Sequence, residues 1–306
     1  MTMKKHFIAL LFLYFSTLAS CAAGTSSRKA LTETDWFIPD QTLTVWMLSD
    51  THITDEAHIK PFEKAIEDIN ENVPDVDMAI NAGDVVDSPK EESYDLYINT
   101  RKKSYIKEWH EISGTHDDNM IEMGKMFQSK LQPTPSYTVR KGNILFIFIS
   151  NVYSNVYRKK ADELFEWWKN LVINNQDKII VTITHKPLDG SGITFSGMKR
   201  KHLSDSKRFR DILKGYKVDL WFSGHLHIPE EMFGTIVSKQ NLNGTTFIEI
   251  SSIKPDLLGI KEPESRVITF ACGSDKVLVR SRNHNLKIFM SGTDEVLTLS
   301  KAYKCD

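Results

Sequence analysis

Five short segments of the sequence carry carboxylate and imidazole side chains, and each of them follows an apolar run. They are Asp50-Thr51-His52, Gly83-Asp84-Val85-Val86-Asp87, Gly114-Thr115-His116-Asp117, Thr184-His185-Lys186-Pro187 and Gly224-His225-Leu226-His227. Carboxylates combined with imidazoles suit Mn, Fe, Zn or Ni ions. Any one segment alone is more typical of surface residues. Five in order, with the acids early and the histidines late, predict a metal site.

The apolar runs before these segments predict β-strands at residues 42–48, 78–82, 109–113, 179–184 and 218–223. Helical patterns lie between several of them, including a polar stretch at residues 91–107. Alternating strands and helices indicate a mostly parallel sheet, in which ligands gather beyond the carboxyl ends of the strands. The five segments are therefore expected to converge on one point.

The second half of the sequence has a different pattern. Lys141-Gly142-Asn143 predicts a hairpin turn between strands, residues 161–173 predict a helix, and the chain is rich in strands from residue 245 onward. Residues 36–306 are expected to form one domain. We also expect each half of this domain to supply one sheet, with the two sheets packed face to face between helices.

The ordered segments resemble the calcineurin-like metallophosphoesterases. The pattern of that family is Asp-x-His, Gly-Asp-x-x-Asp, Gly-Asn-His-Asp/Glu, a lone His and Gly-His-x-His. The resemblance spans residues 48–227 directly. It implies an α/β fold, a four-layer αββα sandwich of two mixed sheets, and a metal-dependent hydrolase of phosphate mono- or diesters.

The resemblance also implies which residues bind two divalent metal ions. The first ion would have four ligands: Asp50, His52, Asp84 and His227. Asp84 would bridge to the second ion, which His185 and His225 also bind. Two ions about 3.5–4 Å apart can hold phosphoryl oxygens and convert a bridging water into hydroxide at neutral pH.

Two further residues receive catalytic roles from the resemblance. His116 would lie beside the ester, as a general acid for the leaving alkoxide or a stabiliser of the transition state. A histidine suits this role because it titrates near neutral pH. Asp87 matches an acid that orients such a histidine.

Thr115 departs from the family pattern, which has an asparagine at this position. A threonine hydroxyl is shorter than an asparagine side chain and a poorer metal ligand, so the second ion is predicted to bind more weakly than the first. Asp118 or Asn119 could supply a replacement ligand. An alternative hypothesis follows: a catalytically weak or inactive protein of this fold that binds a phosphorylated ligand or an envelope partner.

The N-terminal residues predict export and a lipid anchor. Lys4 and Lys5 precede an apolar run at residues 7–18, and Leu18-Ala19-Ser20-Cys21 resembles the lipobox of bacterial lipoproteins. Residues 1–20 would be the signal peptide, Cys21 the lipidated residue and residues 21–35 a flexible tether. The protein is then expected in the bacterial cell envelope, facing the periplasm, with the outer membrane favoured. A plain secretory signal is the alternative.

Composition limits the substrates. The 306 residues have a formal net charge of −1, without the basic bias of a polyanion-binding protein, so nucleic acid is not expected as a partner. A small-molecule or lipid phosphate ester is expected instead. Residues 88–108, 117–135 and 186–205 are the loops predicted to select it, and solvated surface charge is favoured over phosphate binding for the basic residues between 199 and 210.

Some features stay open at this point. Asp189, Tyr153 and Trp221 are equal candidates for the substrate pocket. Cys272 and Cys305 could form a disulfide in an oxidising compartment or remain buried thiols. The oligomeric state and the identity of the metals are not indicated by the sequence.

Overall fold

Two β-sheets pack face to face in the computed structural model of the protein, and helices cover the outer face of each. The structure describes residues 41–117, 124–150, 158–255 and 262–305. The predicted signal peptide, Cys21, the tether, Asp118, Asn119 and Tyr153 lie outside the described residues. The described residues belong to one compact unit, Leu31–Asp306.

The longer elements agree closely with the predicted strands and helices. The helices are α1 (Lys60–Asn72), α2 (Glu91–Arg101), α3 (Lys125–Lys130), α4 (Arg158–Asn174) and α5 (Ser206–Leu213). The strands are β1 (Thr42–Leu48), β2 (Met78–Asn81), β3 (Glu108–Glu111), β4 (Ser136–Lys141), β5 (Ile144–Ile149), β6 (Ile179–Thr184), β7 (Leu220–Ser223), β8 (Ile236–Lys239), β9 (Thr245–Glu249), β10 (Glu264–Ala271), β11 (Lys276–Asn283), β12 (Ile288–Phe289) and β13 (Glu295–Thr298).

Each sheet is mixed. The first has the order β12-β11-β10-β1-β2-β3, with β13 also paired to β11, and the second has the order β4-β5-β6-β7-β9-β8. Strands β1, β2 and β3 are mutually parallel, as are β5, β6, β7 and β9. The predicted four-layer αββα sandwich is confirmed.

The expectation that each half of the chain supplies one sheet is wrong. Strand β10 pairs antiparallel with β1, from Thr42 opposite Ala271 to Met47 opposite Arg266, so the C-terminal strands complete the first sheet. The physical reason is that β1 has an unpaired edge opposite β2, and an uncovered edge of backbone donors and acceptors requires another strand.

Three apolar layers hold the sandwich together. The layer between the sheets contains Met47, Ile80, Phe146, Val181 and Phe222, all of them buried. A second layer lies between the first sheet and helices α1 and α2, and a third lies between the second sheet and helices α4 and α5. Strands that are buried on both faces are mostly apolar, and this explains the wholly apolar β5 and the largely apolar β6.

Helix α2 ends at Arg101, earlier than the predicted residue 107. The next residues are fixed to helix α1 instead: the Tyr105 hydroxyl donates to the carbonyl of Val73, and the Tyr105 N–H donates to the side chain of Asn70. These tertiary contacts outweigh the weak helical preference of the sequence there. No helix among the described residues is both long enough and apolar enough to span a membrane.

Candidate metal centre

The five predicted segments meet at the carboxyl ends of β1, β2 and β3 in the first sheet and of β6 and β7 in the second. Five of their side-chain donors have backbone φ angles in the left-handed region: Asp50, His52, Asp84, His225 and His227, with φ between 44° and 73°. Such a conformation costs a residue other than glycine on the order of 1 kcal/mol and is concentrated at functional sites. Backbone hydrogen bonds from Asp50 to Gly83 and from His52 to Asp84 hold the turns together.

Two glycines permit the close approach of these turns. A Cβ atom on Gly114 would lie 2.1 Å from Oδ1 of Asp84, and one on Gly224 would lie 2.6 Å from Oδ2 of Asp50. Neither position has room for a side chain. Gly114 and Gly224 are therefore needed to bring the backbone against the two carboxylates.

One cluster of donors is formed by Asp50, His52, Asp84 and His227, the four predicted ligands of the first metal. Nε2 of His227 lies 2.8 Å from Oδ1 of Asp50, and Nε2 of His52 lies 3.6 Å from both Oδ1 of Asp50 and Oδ2 of Asp84. The two imidazole Nε2 atoms are 3.2 Å apart. Nitrogen and carboxylate atoms that converge in this way match the donor set of a borderline divalent metal.

A second cluster contains Asp84, His185 and His225, the predicted set for the other metal. Oδ2 of Asp84 lies 3.0 Å from Nε2 of His185, and the two imidazole rings are 5.0 Å apart. Among the described residues, the buried Nε2 atom of His225 has no hydrogen-bond partner. A buried, unpaired nitrogen that faces carboxylate and imidazole donors fits a metal ligand. Asp84 belongs to both clusters, as predicted for a bridging ligand.

The charges of the site fit a cation. Burial disfavours the charged form of His185, but the neighbouring Asp84 carboxylate outweighs this effect and raises the pKa of His185 to about 9. Burial and the adjacent His185 lower the pKa of His225 to about 3. Despite complete burial, the histidines around Asp50 hold the pKa of that carboxyl well below its usual range. A proton on His185 thus supplies positive charge that a bound cation would replace, with release of the proton.

His116 and Asp87 lie at the edge of the first cluster. The ring Nδ1–H of His116 donates to the backbone carbonyl of Asp87 over 3.1 Å, and the Asp87 carboxylate is 3.6 Å from the same nitrogen. The closer neighbour of that carboxylate is Nδ1 of His52, at 3.2 Å. Asp87 therefore contacts both rings, which pack edge to face with centroids 4.6 Å apart. The catalytic roles of His116 and Asp87 stay predictions.

Thr115 occupies the place of the family asparagine. Its hydroxyl lies 3.3 Å from Oδ2 of Asp84, while the backbone N–H of His116 donates to Oδ1 of Asp84 over 2.7 Å. A hydroxyl in this position can hydrogen-bond the bridging carboxylate. Thr115 therefore holds Asp84 in place. Its role as a weak ligand of the second metal stays a prediction.

Asp117 and Glu249 support the site, and sequence reasoning gave neither a role. Asp117 accepts hydrogen bonds from the backbone N–H groups of Val85, Val86 and Gly114, which joins the second segment to the third. Burial, reinforced by the charge of Asp84, raises the pKa of Asp117 to about 6. Glu249 accepts the N–H of Leu226 and so holds the His225-Leu226-His227 turn. Asp117 could have been identified from its place at the end of the Gly-x-His-Asp segment. No sequence feature indicated a role for Glu249.

A cavity of about 530 Å³ opens beside the two clusters. Its described lining consists of His52, Asp84, Asp87, His116, Phe195, Met198, Lys201, His225, Leu226, His227 and Lys254. Lys254 was not predicted. Asp189 and Trp221 are wrong as pocket candidates: Asp189 pairs with Arg210, and Trp221 is fully buried against Trp168 and Phe247.

The basic segment after His185 divides into two parts. Lys207 pairs with Asp211, and Arg208 pairs with Asp162, on the surface of the protein. These pairs agree with the prediction that the basic residues here are solvated surface charges. Lys201 instead lines the cavity. The predicted selecting loop at residues 186–205 therefore contributes to the cavity through Phe195, Met198 and Lys201.

Comparisons with known proteins agree with this geometry. The family model for calcineurin-like phosphoesterases matches residues 43–229. The fold is similar to that of a dimetal phosphatase from Danio rerio, with a TM-score of 0.64 and 9% identity over 84% of this chain and 99% of that chain. It is also similar to purple acid phosphatase PPD1 from Lupinus luteus, with a TM-score of 0.65 and 14% identity over 84% of this chain and 54% of that chain.

A third similar fold is that of GAP50, the anchor in the inner membrane complex of Plasmodium. The TM-score is 0.59 and the identity 15%, over 87% of this chain and 91% of that chain. At these identities the likeness shows a shared fold. A comparison with curated proteins gives no match.

Proposed function

The chain belongs to the calcineurin-like phosphoesterase family, and we propose that it hydrolyses phosphate mono- or diesters at a two-metal centre on the periplasmic side of the bacterial envelope. It is a metal-dependent phosphoesterase. The observation that carries the two-metal proposal is the position of Asp84. Its carboxylate lies 3.0 Å from His185 and 3.6 Å from His52, one residue of each donor cluster.

The ligands proposed for the two ions are those of the two donor clusters. Divalent ions bound there would supply positive charge for the phosphoryl oxygens and lower the pKa of a coordinated water. The protein contributes fixed geometry, because the carboxylates and imidazoles are set on strained turns that other residues hold in place. Donors that are already in place need no rearrangement when the substrate binds.

His116 is proposed to donate a proton to the leaving oxygen of the ester. Its Nδ1–H is held by the Asp87 carbonyl, which leaves Nε2 as the ring atom available for substrate. The side chain is 46% exposed and lines the cavity, so a substrate can reach it. A fixed ring beside the ester meets the geometric requirement for general acid catalysis.

Two observations support a location in the bacterial envelope. Residues 1–21 have the pattern of a lipoprotein signal with lipidation at Cys21. Cys272 and Cys305 form a disulfide with a Cα–Cα distance of 5.5 Å, and such bonds persist chiefly in oxidising compartments. In the proposed arrangement, a lipid on Cys21 holds the domain at a membrane, with the outer membrane favoured, and residues 21–35 form the tether.

A hydrolysis assay tests the enzymatic part. The purified protein is incubated with Mn²⁺ and either 4-nitrophenyl phosphate or bis(4-nitrophenyl) phosphate, and metal content is measured on the same samples. We expect turnover by the wild type and a decrease in kcat of about 10²- to 10⁴-fold in His116→Gln. The control is His58→Gln, on an exposed surface turn. No turnover by the wild type with any of several metals would favour a binding protein instead.

Cell fractionation tests the anchor. We expect the wild type in the membrane fraction, because several acyl chains on Cys21 would anchor it stably. We expect Cys21→Ser in the soluble fraction, because this variant lacks the sulfur that carries the lipid. Equal distribution of the two forms would contradict lipidation at Cys21.

A further inference from the structure

Part of the described cavity lining is apolar, and two of its three large apolar side chains are open to solvent. Phe195 and Met198 are 42% and 54% exposed, and the buried Leu226 lies between two of the proposed metal ligands in sequence. Exposed large apolar side chains that line a cavity mark a binding surface more often than isolated ones do. These three residues are called the apolar wall below.

The backbone beneath this wall is fixed by buried hydrogen bonds. The buried Ser196 hydroxyl donates to the carbonyl of Ile193, and the N–H of Thr194 donates to Gly234 in the neighbouring loop. The N–H of Met198 donates to the carbonyl of Phe195. The aromatic ring is therefore presented by an ordered turn.

The conformation of Phe195 is itself unfavourable. Its φ angle is 67°, in the left-handed region that aromatic residues rarely adopt. Strained residues of this kind persist where the surrounding structure imposes them, and they are concentrated at binding sites. An asparagine or a glycine would meet the backbone requirement more easily. The local backbone therefore does not account for a phenylalanine at this position.

Two lysines line the same cavity as the apolar wall. Lys201 follows Met198 in the same turn, and its N–H donates to the Met198 carbonyl. Lys254 also lines the cavity, with Nζ 3.5 Å from Oδ1 of Asp87. Lysine side chains that flank a metal centre favour the oxygens of a phosphoryl group. The cavity thus combines cationic groups beside the metal ligands with an apolar wall.

We propose that the substrate is a phosphate ester whose alcohol part is apolar, an alkyl or aryl group that packs on Phe195, Met198 and Leu226. This inference rests on the proposed function, because it takes the adjoining donor clusters as the site of hydrolysis. A sugar or nucleoside in the same place would leave hydroxyl groups against side chains that offer no hydrogen bond, and such mismatches weaken binding. The alcohol part can come from a membrane lipid or from a soluble ester.

A chain-length series tests the proposal. The kcat/KM is measured for n-butyl, n-hexyl and n-octyl phosphate, below their aggregation concentrations. We expect it to rise about fourfold for each added methylene that the wall covers. Binding of the matching n-alkylphosphonates, which have no scissile ester, is measured by calorimetry and should show the same trend in Kd. Lysophosphatidate, offered as monomer and in phosphatidylcholine vesicles, separates a soluble from a membrane source.

Matched substitutions test whether the apolar wall causes the dependence on chain length. Phe195→Asn with Met198→Gln removes the exposed part of the apolar wall and leaves only the buried Leu226. Asparagine at position 195 tolerates the left-handed backbone. We expect the dependence on chain length to disappear in both rate and Kd. Phe233→Asn is the control, because that ring is 79% exposed and is not part of the described lining.

Three results would overturn the proposal. In the first, the wild type hydrolyses 4-nitrophenyl phosphate but its kcat/KM for the alkyl phosphates does not depend on chain length. In the second, the dependence on chain length survives the double substitution at Phe195 and Met198. In the third, Phe233→Asn abolishes the dependence on chain length as completely as the double substitution does. In each of these cases the proposed function stands. No hydrolysis of any ester would instead remove the proposed function, and this inference with it.

Discussion

The hydroxyl of Thr115 lies 3.3 Å from Oδ2 of Asp84, in the place where the family pattern has an asparagine side chain. The hydroxyl can donate to this carboxylate, but an asparagine offers a longer side chain with a carbonyl oxygen. We therefore predict that Thr115→Asn binds the second metal about tenfold more tightly, in the range seen when groups around a metal site are changed.

Metal titration followed by element analysis measures this effect. Thr115→Val is the matched control, since it keeps the shape of threonine and removes only the hydroxyl. A weaker second site in Thr115→Val would identify the hydroxyl as a contributor to metal binding. If Thr115→Asn gains neither metal nor rate, the prediction of a weakened second site is wrong.

Asp84 and His225 are predicted to have different effects on metal content. Asp84 belongs to both donor clusters, whereas His225 belongs to one. Asp84→Asn should lose both ions and His225→Gln only one, because the other cluster keeps all four donors. Stoichiometry by element analysis distinguishes the two, with the exposed Asp55→Asn as a control and circular dichroism as a check of folding. Equal losses in the two variants would contradict a bridging role for Asp84.

The grouping of the site residues could be predicted because local patterns determine it. Each donor segment follows an apolar strand, and parallel strands that share a sheet place their carboxyl ends together. Asp50 and Asp84 follow adjacent strands β1 and β2. The sequence also indicated which donors form each cluster, through the order of the segments in the family pattern.

Contacts made by the C-terminal part could not be predicted in the same way. The pattern around residues 264–271 indicates a strand, but nothing in it specifies β1 as its partner. Lys254 reaches the cavity because its backbone N–H donates to the carbonyl of Asp50, some 200 residues earlier. Glu249 acts on Leu226 only because β9 lies beside β7. Such long-range placement follows from the tertiary fold rather than from local sequence.

Asp117 is predicted to contribute strongly to the stability of the folded protein. Its carboxylate accepts three buried backbone N–H groups, from Val85, Val86 and Gly114. Asp117→Ala would leave them without this acceptor, and each unsatisfied donor is costly. We expect the free energy of unfolding to fall by about 3 kcal/mol or more. Urea denaturation measures it, with Asp117→Asn expected to lose less because it keeps one acceptor. Unchanged stability in Asp117→Ala would disprove this role.

A second buried network should make stability depend on pH. Arg282 donates to both carboxylate oxygens of Asp68, over 2.6 and 2.9 Å, and Nδ1 of His284 lies 2.8 Å from one of them. Burial alone would raise the pKa of Asp68, but these hydrogen bonds lower it to about 2. The unfolded chain therefore binds a proton more readily than the folded protein.

The contribution of Asp68 is thus complete above its ordinary pKa of 3.8 and is lost as pH falls through about 2. Asp68→Asn should lower the free energy of unfolding at pH 7 by about 3–5 kcal/mol, because Arg282 is left as an uncompensated buried charge. Urea denaturation at pH 7, 4 and 3 measures both effects. Asp211, an exposed acid paired with Lys207 and Lys214, gives the control Asp211→Asn, with no measurable change expected. A wild type and an Asp68→Asn variant of equal stability at pH 7 would refute this prediction.

The disulfide between Cys272 and Cys305 is predicted to hold the C-terminal residues against the first sheet. Its partners are separated by 33 residues in sequence, and the adjacent Tyr303 forms a β-bridge with Cys272. Closing a loop of this length restricts the unfolded chain, so replacing both cysteines by serine should lower the free energy of unfolding by about 3–4 kcal/mol. Dithiothreitol should destabilise the wild type similarly and leave the double variant unchanged, as followed by thermal denaturation. Two thiols that react with maleimide in the unreduced, denatured protein would show that the pair is not bonded.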